Sequence, residues 1–464
     1  MRPAERSFGI LLHISSLPSN KNIGDFGPQA YKFIDWLKSS GAGFWQFLPL
    51  HPPGANNSPY QALSVFALNP AFISLELLQD EGILPENSGS FSSQEDGLRT
   101  AFLLFTKGKV SAEIKSAYLS FLEQESYWIH DFAGFMQQHD QNQDEDEEYH
   151  SFIQFCAFRQ FQKLKTYAGE QGISLIGDIP IYCAHDSADV SAHRKLFKLD
   201  DQGNPAFLAG VPPDYFSATG QLWGNPVYDW DKMKEDSYQW WIQRIKCAMK
   251  TCDLLRLDHF RGFESYWEVP AGAETAARGH WEKGPGRPFF QALQSELGKQ
   301  LPLIAEDLGV ITDEVKELRD CFQFPRMIVL QFAFAEGAEE YLTHNHKKNS
   351  FLYTATHDND TTRGWYESQD DKRTAERIKA LKYCNLPDDC SGVQFTRALI
   401  HEAFKSRARV VILPMQDVLM LPSDARMNTP GTAENQWKWQ LDRNFPKEES
   451  ARFLLELAGL FQRI

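Results

Sequence analysis

The sequence predicts a (β/α)8 barrel, a TIM-barrel fold, and three observations carry that expectation. Eight short apolar runs with strand character alternate with stretches of helical periodicity along the chain. Eight is the number at which such a sheet closes on itself. No glycine-rich phosphate loop follows the first run, which weakens the alternative of an open, doubly wound sheet. Carboxylates stand just beyond three of the runs, where a barrel carries its reactive groups.

The elements follow in order. Gly9–Leu17 reads as the first strand, closed by Pro18. Pro28–Ser40 places Tyr31, Phe33, Ile34 and Leu37 at helical spacing, with Gly41 as the stop. Phe44–Leu50 is a second strand, so strand, helix and strand form a βαβ unit and imply a parallel sheet. A turn-rich loop, His51–Tyr60, follows. From Gln61 to about Glu148 the rhythm stops; this stretch reads as largely helical and ends in a solvated acidic run, Gln143–Glu148. Ser151–Gln171 is a helix and Ser174–Tyr182 the third strand. The connection Cys183–Trp230 is long and rich in Pro, Gly and aromatics, as lids and binding loops are. Helix Tyr238–Thr251 feeds the fourth strand at Leu254. Leu301–Glu306, Met327–Ala333, Phe351–Thr356 and Arg409–Pro414 complete the eight. Helical patterns such as Thr312–Cys321 and Lys372–Leu386 lie between them, and Glu448–Phe461 is a last helix. We expect one catalytic barrel domain over residues 1–464 with largely helical insertions in the strand-to-helix loops. The insertions fall at about 52–150 (a helical lobe), 183–235 (a lid or groove loop) and 262–295.

Composition narrows the function. The 464 residues carry a net charge of −15, which argues against nucleic acid or an anionic membrane as partner. Twelve Trp, 15 Tyr and 34 Phe suit stacking on sugar faces, although aromatics also fill cores. The seven cysteines show no metal-ligand or disulfide framework, so neither metal nor cofactor is expected. The N-terminus lacks a signal-peptide core and no apolar run reaches membrane-spanning length, so the expected location is cytoplasmic.

The chemistry centres on Leu254–Phe263, an apolar strand that ends in a charged, aromatic turn. Arg256 is anomalous inside a strand buried on both faces, and a cation there demands an anion close by. Alternation puts Arg256 and Asp258 on one side. Strand four ends in Asp258, strand five in Glu306-Asp307 and strand seven in His357-Asp358, so three carboxylates converge on one rim. Any one of them could be a helix N-cap; together, with Arg256 and His357 beside them, they fit a site. A retaining glycosidase needs an ionised nucleophile and a protonated acid. Arg256 would lower the pKa of Asp258, and apolar surroundings would raise that of Glu306. Asp358 can hold sugar hydroxyls. Magnesium-dependent enolase-type chemistry also uses three carboxylates on barrel strands; loops dense in Trp, Tyr and Asn favour a neutral sugar instead.

Several motifs carry a resemblance. Arg256-Leu-Asp-His-Phe-Arg-Gly-Phe263, Ala305-Glu-Asp-Leu-Gly309 and Thr356-His-Asp-Asn-Asp-Thr-Thr-Arg-Gly-Trp365 resemble those of the amylomaltases, the 4-α-glucanotransferases of glycoside hydrolase family 77. Supporting stretches span nearly the whole chain: Leu12–Pro18, Ser58-Pro-Tyr60, Gly177–Tyr182, Thr219–Pro226 and Arg426–Gly431. The resemblance implies Asp258 as nucleophile, Glu306 as acid/base and Asp358 as transition-state stabiliser. It also implies a long glucan groove between lobes. Substrate-binding residues expected on this basis are Ser58, Tyr60, Asp214, Tyr215, Phe216, Trp223, Asn225, Arg256, His357 and Asn428. The partners implied are α-1,4-glucans and maltooligosaccharides as donors and acceptors, and glucose as acceptor.

Three features depart from the family pattern. Ser191 stands where Trp is common, Asn435-Gln-Trp-Lys-Trp-Gln440 loosens an Asn-Trp-x-Trp-Arg motif, and the chain is somewhat short. All lie outside the carboxylate trio and bear on groove shape. Two other functions use the same residues: an amylase-like hydrolase with water as acceptor, and a glucan-binding protein on an inactive barrel. The trio cannot separate transfer from hydrolysis, whereas an intact trio speaks against the inactive form.

Overall fold

The computed structural model describes residues 6–19, 21–54, 57–85, 91–139, 146–213, 217–432, 436–445 and 447–464. Its twelve strands are, in chain order, β1 (Ser7–Leu11), β2 (Phe44–Gln46), β3 (Ser174–Ile179), β4 (Phe207–Val211), β5 (Gln221–Pro226), β6 (Leu254–Leu257), β7 (Ser265–Pro270), β8 (His280–Lys283), β9 (Leu303–Ala305), β10 (Arg326–Val329), β11 (Ser350–Tyr353) and β12 (Val410–Pro414). Eight of them close a parallel barrel in the order β1-β12-β11-β10-β9-β6-β3-β2. These are the eight runs expected from the sequence. Closure needs close backbone approach at one point. Gly9 pairs with Phe44, and a Cβ there would stand 2.5 Å from Phe44 Cβ and 2.6 Å from its carbonyl oxygen.

The strands are shorter at their C-terminal ends than the apolar runs imply. β1 stops at Leu11, and Ile14–Ser16 is a 3-10 turn rather than more strand. β10 stops at Val329 and passes directly into another 3-10 turn, Leu330–Phe334. Apolar character continues in both turns because most of their side chains are still buried. The hydrogen-bonded ladder ends earlier, where each chain must leave the rim for its helix.

Alternation sorts the barrel side chains into layers. Leu11, Phe44, Ile176, Leu254, Ile304, Met327, Phe351 and Ile412 fill the interior. Two residues further along several of these strands, the same parity delivers Gln46, Asp178, Arg256 and Tyr353, and just past β9 Glu306. The upper layer is therefore polar although it is buried: Tyr353 donates to Gln46 Oε1 at 2.7 Å. The opposite strand faces belong to the larger core shared with the surrounding helices.

Helix Pro28–Ser40 has the expected bounds and ends on Gly41 at φ 78°, a left-handed stop that glycine takes without strain. The lobe between β2 and β3 is helical, with Leu75–Asp80, Gln94–Thr106, Ala112–Gln124 and Ile129–His139 packed before the long helix Glu147–Glu170. That helix begins earlier than expected because Asp146 of the acidic run caps it, accepting from Tyr149 N–H. The acidic run before Asp146 lies outside the described residues. The two later insertions contribute strands. β4 and β5 from one and β7 and β8 from the other form a single antiparallel sheet, β5-β4-β7-β8. Short strands of one insertion cannot satisfy their own edges; pairing β4 with β7 joins the two insertions into one lobe.

No described helix is long and apolar enough to cross a membrane.

Candidate active site

The anion that Arg256 demands is present twice. Its Nη1 reaches both carboxylate oxygens of Asp178 at 2.8 Å and Oδ1 of Asp258 at 2.8 Å. Asp178 and Arg256 are paired residues of the adjacent strands β3 and β6, which is why the two charges meet. A third group, the Tyr60 hydroxyl, donates to Asp178 Oδ2 at 2.7 Å. Burial and the neighbouring Asp178 push the Tyr60 pKa far above its ordinary range, so it stays a neutral donor. One expectation is reversed. The pKa of Asp258 is raised, to about 7, because burial penalises its charge and Asp178 and Asp358 add like charge; Arg256 opposes but does not win.

Glu306 stands just past β9. Its Oε2 accepts from the His259 backbone N–H at 2.6 Å and its Oε1 from Leu308 N–H at 3.0 Å. Burial first, then the charge of Asp258, raises its pKa to about 8, against the pull of Arg256 and the two N–H donors. The neighbouring Asp307 turns away, to Arg319 Nη1 at 2.5 Å and Met327 N–H at 2.9 Å, and serves the scaffold.

Asp358 lies beyond β11. It accepts from Asn428 Nδ2 at 2.6 Å through Oδ1, while His357 Nε2 stands 3.3 Å from its Oδ2. Arg426 donates to the Asp358 carbonyl at 2.6 Å. Burial lowers the His357 pKa, so the imidazole beside Asp358 is neutral rather than one half of an ion pair. Tyr60 stacks on the His357 ring at 5.2 Å and 14°, and Trp437 leans on both rings. Side-chain exposure rises from 27% for Asp258 to 45% for Asp358, so the trio opens towards solvent on the Asp358 side.

The other expected residues divide. Ser58 accepts from Tyr60 N–H at 3.3 Å and shapes the Tyr60 turn. Trp223 meets the His259 ring edge-on at 4.9 Å and 86°. Asn225 is 4% exposed, and its amide is spent on Gln61 Oε1 and the Cys183 carbonyl, joining two loops. Asp214, Tyr215 and Phe216 lie outside the described residues. Two site residues escape the sequence reasoning. Asp178, a lone carboxylate in an apolar strand, carries the same signal as Arg256 and could have been found by it. Trp437 sits in the loosened motif, where Gln440 Nε2 donates to the Ser15 and Leu17 carbonyls at 3.2 and 3.5 Å. Ser191 is an exposed residue of the short helix Ala188–Ala192.

Among the described residues one group, Glu268, His280 and Glu282, brings three ligand atoms together, on the antiparallel sheet. Lys198 Nζ already holds Glu268 at 2.7 Å there.

Fold and site together define a (β/α)8-barrel enzyme with three carboxylates just past its strand ends, one of them paired with a buried guanidinium. The family described as 4-alpha-glucanotransferase, glycoside hydrolase family 77, matches residues 12–147 and 136–444. A 4-alpha-glucanotransferase of Synechocystis is 44% identical, with 94% of each chain covered, and one of Thermus thermophilus is 42% identical over 94% of this chain and 95% of the relative. The amylomaltase of Streptococcus agalactiae, solved in complex with acarbose, superposes with a TM-score of 0.90 at 34% identity, over 99% of this chain and 100% of that one. The chain belongs to this family of 4-α-glucanotransferases.

Proposed function

We propose that the site moves α-1,4-glucan segments from a donor to the 4-hydroxyl of an acceptor glucan or glucose, by a retaining double displacement. Asp258 attacks the anomeric carbon of the donor while Glu306 gives its proton to the departing glycosidic oxygen. A covalent glycosyl ester on Asp258 results. Glu306, now a carboxylate, takes the proton of the incoming 4-hydroxyl as that oxygen displaces Asp258. Asp358, held by Asn428, receives sugar hydroxyls and steadies the oxocarbenium-like ring.

One observation carries this reading. The two half-buried carboxylates have different partners: Asp258 touches Arg256 at 2.8 Å, whereas Glu306 is held by backbone N–H groups. The direct ion pair draws the negative charge to Asp258 and leaves the shared proton on Glu306. Tyr60, His357 and Trp437 form an aromatic wall beside Asp358 that supports sugar over water as acceptor. A well-held hydroxyl can act at effective molarities of about 10⁵ M or more, enough to outrun water at tens of molar.

We read residues 1–464 as one catalytic domain whose insertions at about 52–150, 183–235 and 262–295 wall the groove. Seven cysteines without a disulfide support a cytoplasmic location. The test is incubation with maltotriose. Glucose and longer maltooligosaccharides should appear with almost no net gain in reducing ends. Reducing ends rising in step with substrate consumption would make the protein a hydrolase.

A further inference from the structure

Between Asp258 and the 3-10 turn Phe260–Phe263 the backbone does something costly. His259 adopts φ 51° and ψ 49°, the left-handed region that glycine favours. Such conformations persist only where their surroundings over-determine them. Here several contacts do so. The Phe260 N–H donates to the Glu306 carbonyl at 3.0 Å, and the Gly262 N–H to the His259 carbonyl at 2.9 Å. Trp223, from the antiparallel lobe, presses edge-on against the imidazole at 4.9 Å. Gly262 lies beneath the ring, and a Cβ there would stand 3.1 Å from His259 Cδ2. The ring's Nε2 has no hydrogen-bond partner among the described residues, so packing rather than a proton holds the imidazole. The yield of the strained turn is one N–H aimed at Glu306 Oε2, at 2.6 Å.

We propose that His259 is a positioning residue for the acid/base: its left-handed backbone, wedged by Trp223, presents an N–H to Glu306 and so sets how tightly that carboxyl holds its proton. The proposal rests on the reading of Glu306 as the acid/base. A hydrogen bond donated to a carboxylate favours the ionised form. Without it Glu306 keeps its proton to higher pH. The charged and titratable groups facing Glu306 are Arg256 and Asp258 from the β6 side and Tyr341 from the turn Glu339–Tyr341; His259 in turn faces Arg261. None of them is removed by a substitution at His259, so the N–H is the donor to Glu306 that the substitution can lose. Trp223 thereby acquires a role besides any sugar contact, because it ties the lobe to the proton-transfer group.

The experiment compares the basic limb of kcat/KM against pH for maltotriose in wild type, Glu306→Gln, His259→Val and His259→Gly. Valine resists the left-handed region and glycine accepts it, while both remove the imidazole. The valine variant should move the limb up by about one pH unit, and the glycine variant should leave it at the wild-type position with kcat reduced. If valine does not yield folded protein, as read by thermal unfolding, His259→Ala against His259→Gly makes the same comparison. A limb that stays put in valine and alanine, or that moves equally in glycine, overturns the proposal. A limb that survives in Glu306→Gln instead overturns the acid/base reading, so the two failures are told apart.

Discussion

Arg256 shows how a single buried charge organises its neighbours. Asp178 and Asp258 both reach one guanidinium, yet burial, with the charges of Asp178 and Asp358 added, still raises the Asp258 pKa to about 7. The proposed mechanism requires Asp258 ionised and Glu306 protonated, so kcat/KM should fall below about pH 7 as Asp258 takes up a proton and above about pH 8 as Glu306 loses one. A narrow bell near neutrality in initial-rate measurements is the expected outcome. Asp258→Asn keeps the shape and removes the charge. It should lose more than nine-tenths of the rate, a barrier increase above about 1.4 kcal/mol. The same change should stabilise the fold at neutral pH. A carboxyl whose folded pKa is raised favours folding below its unfolded value, and that contribution is lost as pH climbs through the folded value. Relative to wild type, the thermal midpoint of the asparagine variant should therefore rise between pH 5 and 8, by an amount equivalent to about 1 kcal/mol or more, because 27% exposure tempers the burial cost.

At the scale of elements, two glycines with opposite surroundings test what the barrel needs. Gly9 meets Phe44 and Ile412 where β1 joins its neighbours, and a methyl group there has nowhere to go. Gly9→Ala should cost about 1–3 kcal/mol, the penalty of overpacking a rigid core. Gly169 sits in the helix Glu147–Glu170 with nothing within 4 Å of where a methyl group would stand, so Gly169→Ala should stabilise by up to about 1 kcal/mol through helix propensity. Urea melts of both variants decide the matter; equal shifts would mean that the Gly9 contact relaxes freely. The eight barrel strands and most helices were legible in the sequence, since periodicity and caps are local. The antiparallel lobe was not. β4 finds β7 across about 60 residues, and pairing at that distance leaves no local signature.

The whole molecule is closed by its ends. The helix Glu448–Leu460 packs on Pro28–Ser40, and beyond it Arg463 is completely buried. Its guanidinium donates to the carbonyls of Phe404, Ser406, Ser7 and Ala408 at 2.7–3.1 Å. This cation ties β1 to the end of helix Gly392–Lys405 and to the approach to β12, across the seam where the barrel shuts. Arg463→Met keeps the volume but strands those carbonyls, and should cost about 3 kcal/mol or more, most visibly as faster unfolding. A midpoint within about half a kcal/mol of wild type, the range of ordinary surface changes, would show that water replaces the guanidinium.

The sequence by itself determined the barrel, its eight strands and the placement of Asp258, Glu306 and Asp358 just past strand ends, because strand parity and strand ends are properties of neighbouring residues. It also determined that Arg256 must have an anion, from the cost of burying an unpaired charge. Only the tertiary structure decided which anion. Asp178 comes from the adjacent strand, 78 residues away, and its charge adds to the burial that turned the expected fall in the Asp258 pKa into a rise. Likewise only the fold sets Trp223 against His259 and Asn225 against Gln61 and Cys183. A side chain's type states what it can bind, but which partner takes it depends on the packing of strands distant in sequence. The proton affinity of a buried carboxyl is the sum of all such partners, so it could be read only once they were assembled.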